Sequence, residues 1–435
     1  MPKKEPGKYR LIHDLSYSEH GSVNDFIDPA DAVVAYESLD DVVSLVQAFG
    51  AGALIAKVDI ETAFRIIPIH PADRHLLGFS FDGGFYFDKC LPMGCRTSCS
   101  IFEKFSTAVQ WIALNRLHIP AITHILDDFI IVGPPLSTVA QSALDIFLSF
   151  CQECGIPIKT SKTVLPTTCA VAHGILIDTV AMQTRLPIDK VVRVRELLSS
   201  FIPRRSVKLR DMQSLLGLLN FACRVIVPGR PFLRRLINCT LGVSQPHHHV
   251  TLSAGAQADL KAWLLFLDSF NGVSILPDPF FSDSDVLKLY SDAAGSRGFA
   301  AVFGSHWFSG GWPASWPTVH ITLQELFPIT LILEIWGPLL VGKRVFFHSD
   351  NLAVVHIVNR QTAKDPLTMV LVRRLVVAAM THNVIFKARH IPGFSNVVAD
   401  NLSRFSFQEA FAVAPWLDRT PTSIPPHLLL INSPR

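Results

Sequence analysis

Four times along the chain an apolar run breaks off at an aspartate. Ala53 to Val58 runs into Asp59, Thr123 to Leu126 into Asp127 and Asp128, Val286 to Ser291 into Asp292, and Arg344 to Ser349 into Asp350. The short length, β-branched content and alternation of these runs predict strands, each with an acid at its end. Around the adjacent pair, apolar residues on both sides (Ile125-Leu126 and Phe129 to Val132) predict a tight hairpin with carboxylates at its tip. Gly298 to Phe303 and His306 to Trp312 extend the Asp292 strand into a three-strand meander. Ile321 to Trp336 has helical spacing with Glu325 in its first turns, and Asp400 opens a last helix. An uncompensated carboxylate in such places costs stability unless a cation neutralises it, so these acids are candidates for chemistry rather than for folding.

The wider pattern alternates strands and helices up to about Leu186, then becomes helical and basic to about residue 255. A connector rich in Pro, Asp and Ser follows (277–285), then a second α/β unit and a Pro-rich tail. A length of 435 residues and a hydrophobic fraction of 49% predict several cores and about three domains. Mean hydropathy is +0.33, yet the most apolar stretch, 326–341, contains Pro328, Glu334 and Pro338 and is shorter than the roughly 18 to 20 residues a bilayer requires, so a buried helix and no membrane span are expected. The first residues carry charges with no apolar run behind them, which argues against a secretory signal. Eight irregularly spaced cysteines accordingly read as reduced intracellular thiols, with nucleus and cytoplasm both open. The lone CxxC at Cys151 and Cys154 reads as helix packing, and the run His247-His248-His249 as linker.

Charge is uneven. Between Arg185 and Arg235 twelve Lys and Arg face three acids, a local +9 in a chain whose total is +3. Arg204, Arg205, Lys208, Arg210, Arg224, Arg230, Arg234 and Arg235 alternate with helical apolar positions such as Leu215, Leu219 and Phe221. Such a stripe is either a solvated helix face or a surface that follows a phosphate backbone, and two sets of metal-ligating acids nearby favour the second.

An Asp-Asp turn alone says little, but its neighbours share an order. Gly7 to Leu15, the Asp59 segment, Leu91-Pro92-Met93-Gly94, Leu126-Asp127-Asp128, Gly155 to Lys162 and His173-Gly174-Ile175 together resemble the reverse transcriptase family over most of residues 3–240. The resemblance implies that Asp59 and Asp127 are principal metal ligands, with Asp128 in support and the Ile60 carbonyl completing the shell. It implies Phe64 as a steric gate against ribose, Lys3 and Arg10 as the grip on the incoming triphosphate, Met93 and Gly94 at the nucleotide, and Lys162 as proton donor to pyrophosphate. A core role for Phe64 and a solvated lysine at 162 are the plainer alternatives. Met93 stands where many retroviral enzymes have Gln, Cys99 where Pro is common, and Ile125 where Tyr usually opens the hairpin.

Residues 286–405 are similar to a ribonuclease H domain through Ser291-Asp292, Gln324-Glu325-Leu326, Ser349-Asp350-Asn351 and the run Ala388 to Arg404. This implies that Asp292, Glu325, Asp350 and Asp400 hold a second pair of ions, Asp292 bridging them, with His390 moving protons or helping product leave.

The resemblances together imply an α/β multidomain protein: an α+β palm of a right-hand polymerase, a helical thumb, and a ribonuclease H-like mixed α/β domain. The expected boundaries are 1–186 for partial fingers and palm, 187–285 for thumb and connector, 286–408 for the ribonuclease H-like domain and 409–435 for a Pro-rich tail, extended or disordered after Ala414. They imply an RNA-directed DNA polymerase with ribonuclease H activity, two Mg²⁺ per site with Mn²⁺ as substitute, and RNA template, DNA primer, RNA:DNA hybrid and deoxynucleoside triphosphates as partners. Leu209 to Arg224 and the ending from Ile391-Pro392-Gly393 to Leu402-Ser403-Arg404 resemble tyrosine-recombinase retrotransposons of the DIRS or Ngaro kind. No protease, integrase or recombinase pattern is apparent. The alternatives are a ribonuclease H whose polymerase half only binds nucleic acid, and a non-enzymatic domesticated or decayed element product.

Overall fold

The computed structural model describes residues 7, 9, 11–17, 20–269, 274–275, 287–313, 316 and 319–431. The connector 277–285, Lys3 and Arg10 lie outside these. The chain forms two compact units, Met1–Met182 and Gln183–Arg435, against the expected three or so. The reason lies in packing within the second unit: the 3-10 turn Val227–Phe232 of the basic segment contacts the helix Pro366–Thr381 of the final α/β part, so the two share one body.

The first unit is built on an antiparallel sheet in the order Ile122–Ile125, Asp128–Gly133, Leu54–Asp59, Val164–Thr167. Period-two alternation sends Ala56, Val58, Phe129 and Ile131 to one face, where Phe102 and Val109 of the helix Ser98–Asn115 and Leu144 and Phe147 of the helix Val139–Glu153 bury them. The helix Leu39–Phe49 packs on the central strand Asp128–Gly133. It starts at a capping box, Ser38 with Asp41, and stops at Gly50, whose φ of 86° is a left-handed stop. The mixed α/β architecture is thus as expected.

The strand Leu54–Asp59 pairs residue for residue with Asp128–Gly133, and this register sets Asp59 opposite Asp128. Ile125 pairs with Asp128 across the hairpin, leaving Leu126 and Asp127 as a two-residue turn. Leu126 has a φ of 51°, which for a leucine costs roughly 1–2 kcal/mol. Backbone bonds around the turn hold it: the Ile60 amide donates to the Asp127 carbonyl at 2.9 Å.

In the second unit the basic segment is helical at Ile188–Phe201, Leu209–Ala222, Arg234–Asn238 and Ala254–Ser269. His249 is not linker, as expected, but part of the strand His249–Thr251, which pairs with Ser206–Lys208. The final part contains the expected meander, Leu289–Ala294, Gly298–Phe303 and His306–Gly311, paired antiparallel. A parallel pair follows, Arg344–Ser349 with Ile385–His390. Its crossover helices are Leu352–Arg360 and Pro366–Thr381. The helix Ile321–Trp336 lies against the first two meander strands and against Pro366–Thr381. It is apolar nearly all round because it is enclosed: Ile321–Leu340 is long and apolar enough to cross a membrane, but 78% of its apolar window is buried.

The Pro-rich tail, expected as extended or disordered chain after Ala414, carries no helix or strand over residues 415–425 but is docked. Residues 407–413 form a helix, and Ala414 and Leu417 are buried with Ala300, Val302 and Trp307 of the meander. The Trp307 indole donates to the Asp418 carbonyl at 2.7 Å, and Arg374 donates to the carbonyls of Leu428 and Leu430 at 2.8 and 3.1 Å. Buried aromatic surface and an indole donor needing a partner explain why this segment docks.

Two candidate carboxylate sites

In the first unit the sheet register brings together the three acids expected from the sequence. Asp59 is buried at the end of its strand, Asp128 faces it, and Asp127 occupies the turn. Lys162 Nζ donates to Asp59 Oδ2 at 2.5 Å, and Lys57 Nζ to Asp128 Oδ2 at 2.8 Å. Burial pushes the Asp59 carboxyl up, Lys162 opposes that, and Asp128 adds to it. Burial likewise raises Asp127, helped by both other acids. For Lys162 burial works against the charge, yet Asp59, Asp128 and Asp127 outweigh it and the ammonium is held above its usual value. Lys162 thus stands protonated on the acid that begins the site.

Phe64 packs on the core and meets Phe102 edge to face, ring centres 5.4 Å apart, while staying partly exposed. Both of its expected roles are therefore open to it. Met93 and Gly94 lie on a loop pinned by His13, whose amide donates to the Met93 carbonyl at 2.9 Å. Gly94 has φ 114°, and a Cβ there would lie 1.9 Å from the His13 carbonyl oxygen, so only glycine fits.

In the second unit ligand oxygens of Asp292, Glu325 and Asp350 all lie within 4.8 Å of one another. Asp292 and Glu325 are buried, and Asp350 is exposed. Asp400, within the short helix Val397–Ser403, is close enough to raise both Asp292 and Glu325 electrostatically. Its Oδ1 accepts from Arg404 Nε at 2.7 Å. Burial first, then the other acids, push Asp292 up to about 6 and Glu325 up to about 9. His390 is exposed, with Nε2 3.1 Å from the Asp350 carbonyl oxygen, and Gly393 passes so near that a Cβ would sit 3.2 Å from Asp350 Oδ2.

This donor set fits a divalent cation. The ligands are all hard oxygens, they carry one sign, and the two buried carboxylates resist ionising without a counter-charge. Such a site would leave a signature in stability. Glu325 and Asp292 titrate above their usual carboxylate range when folded, so between about pH 4 and pH 9 the cation-free folded chain holds protons the unfolded chain has released. Stability should therefore fall as pH rises through that window, and MgCl₂ or MnCl₂ should restore it most at the alkaline end. Tryptophan fluorescence reads this unit, which holds six of the seven tryptophans. A melting temperature level in pH and indifferent to both salts, in wild type and Glu325→Gln alike, would contradict the site.

Sequence reading missed three contributors. Lys57 stands two residues before Asp59 and so on the same strand face, a spacing that could have flagged it. Ser403 donates to Asp292 Oδ2 at 2.6 Å from one turn after Asp400, and the Asn396 side chain donates to the Ser291 carbonyl at 2.8 Å. The helical i, i+3 relation of Asp400 and Ser403 was visible, but not that it faced Asp292.

Parts of this chain are similar to known proteins. A model of the family described as reverse transcriptase (RNA-dependent DNA polymerase) matches residues 1–186. The Gag-Pro-Pol polyprotein of Mason-Pfizer monkey virus is 26% identical over 272 residues, 60% of this chain and 14% of the polyprotein. Protein P of a duck hepatitis B virus is 31% identical over 106 residues, 24% of this chain and 13% of that protein. The matched stretches thus span only a small part of these relatives' length. A solved structure of the foamy viral protease-reverse transcriptase dRH in complex with double-stranded DNA superposes with a TM-score of 0.52 at 15% identity, over 90% of this chain and 65% of that one, a likeness of fold.

Proposed function

From a chain whose first 186 residues match a model of the reverse transcriptase family, we propose an RNA-directed DNA polymerase that also hydrolyses the RNA strand of RNA:DNA hybrids. The observation that carries the polymerase reading is the register that seats Asp59 opposite Asp128 beside the Asp127 turn. Asp59, Asp127, Asp128 and the Ile60 carbonyl would hold Mg²⁺, with Mn²⁺ as substitute. Such ions, when bound, lower the barrier by activating the attacking oxygen and neutralising charge on the phosphates. Lys162, which donates to Asp59, would give a proton to departing pyrophosphate. Phe64 would exclude a ribose 2′ hydroxyl, Met93 and Gly94 would border the nucleotide, and Lys3 and Arg10 would bind its triphosphate.

For hydrolysis, the tight acidic triad supports the reading. Asp292, Glu325, Asp350 and Asp400 would hold the second pair of ions, and His390 would exchange protons at the rim. The substrate class is the RNA of a hybrid, recognised by 2′ hydroxyls and helical shape. The thumb and terminal motifs favour descent from tyrosine-recombinase retrotransposons of the DIRS or Ngaro kind.

Primer extension with deoxynucleotides on primed RNA tests the polymerase directly: extension is expected, and its absence beside intact hybrid cleavage would leave a nuclease alone. The exposed Arg204, Arg205 and Lys208 should bind backbone phosphates. Replacing all three with Ala should weaken binding of hybrids of any sequence and flatten the salt dependence by about 0.9 in log–log slope for each phosphate no longer neutralised. An unchanged slope would make this face merely solvated.

A further inference from the structure

Behind the turn that carries Asp127 lies a closed set of polar side chains with no part in the reaction just described. Glu103, buried on the helix Ser98–Asn115, accepts the Leu126 amide on Oε2 at 2.9 Å. Its other oxygen lies 3.4 Å from Nε2 of His124, a ring that is 2% exposed and stacked on Phe129. Nδ1 of the same ring is 2.6 Å from Gln110 Oε1. Glu37 accepts from the His124 amide and from the Gln110 side chain, each at 2.8 Å.

The hydrogens of this set follow by elimination. Gln110 Nε2 faces the Ile122 carbonyl at 2.9 Å as well as the Glu37 carboxylate, two acceptors, so that end of the amide is the NH₂ and Oε1 is the acceptor. Nδ1 of His124 must then carry the ring proton. Nε2 and Glu103 Oε1 face one another in a buried space, where two bare lone pairs repel, so one further proton belongs between them. Burial raises the Glu103 carboxyl and lowers the His124 imidazolium.

We propose that Glu103 is a positioning residue for polymerisation: held by His124, it clamps the Leu126 amide and thereby fixes the left-handed turn that aims Asp127 and Asp128 into the site. The role rests on the polymerase reading above. A glutamine at 103 reproduces the whole pattern, its carbonyl accepting from Leu126 and its NH₂ donating to Nε2, whereas a leucine of similar size removes both bonds.

The test compares wild type, Glu103→Gln and Glu103→Leu in steady-state incorporation of a deoxynucleotide on primed RNA, with hydrogen exchange of residues 123–130 alongside. Glu103→Gln should stay within about threefold of wild type in kcat, and Glu103→Leu should lose about thirtyfold in kcat with KM for the nucleotide changed less than about threefold. Exchange at 123–130 should quicken about tenfold or more in Glu103→Leu and not in Glu103→Gln. A leucine variant that behaves as wild type, or a glutamine variant as impaired as leucine, overturns the proposal. Should Glu103→Leu not fold, Glu103→Ser carries the same comparison. If wild type extends no primer, the polymerase reading fails by itself, while exchange still decides whether Glu103 clamps the turn.

Discussion

Asp127→Asn is expected to lower kcat for deoxynucleotide incorporation by about a thousandfold or more, roughly 4 kcal/mol of barrier, and to leave hybrid cleavage near wild type. The residue lies in a two-residue turn whose backbone is fixed from two sides, by Ile60 and by Glu103. Asparagine is isosteric, so the hairpin should survive while one anionic ligand is lost. Binding of primed RNA should change little, because on this proposal basic side chains, not this acid, would hold the phosphates. Incorporation assayed with hybrid affinity separates the two. A variant that extends primers at the wild-type rate would remove Asp127 from the reaction.

Asp292→Asn carries the second large effect: loss of hybrid cleavage by about a thousandfold, with primer extension retained. Here the neutral side chain also relieves repulsion. Asp292 is held up to about 6 by burial and raises its neighbour Glu325, so the variant should be at least as stable as wild type without added cation. Ser403 still has an oxygen to which it can donate. Stability gained together with activity lost marks a site kept for chemistry rather than for folding. Cleavage that persists in Asp292→Asn would expose a contaminating nuclease.

Much of this was legible before any fold was at hand, for a physical reason. Short apolar runs that stop at an acid announce buried strands and their ends, so the runs ending at Asp59, Asp292 and Asp350 and the hairpin at Asp127 could be placed from local pattern alone. The glycine at 94 and the helix around Glu325 were equally local. Pairings across long stretches of chain were not. That Asp59 lies opposite Asp128, that Lys57 reaches Asp128 and that Ser403 reaches Asp292 depend on register and packing, which no window of residues encodes. Prolines announced the tail's lack of helix or strand over 415–425 but not its docking, which depends on Trp307 offering an indole that needed an acceptor. The single body formed by the basic helices and the final α/β part likewise arises from packing such as Val227–Phe232 on Pro366–Thr381, between segments more than a hundred residues apart. Glu103 stayed hidden for the opposite reason: a glutamate among serines and phenylalanines on a helix reads as surface until the turn it holds is seen beside it.

Two sets of carboxylates, on this account, make two separate reaction centres. The most direct measurement is a paired assay, primer extension and hybrid cleavage in the same Mg²⁺ buffer, on wild type, Asp127→Asn and Asp350→Asn. Asp127→Asn should lose only extension and Asp350→Asn only cleavage, with wild type performing both. If either substitution abolishes both activities in a folded protein, or neither activity responds to its own acid, the two centres are not independent and the account is wrong.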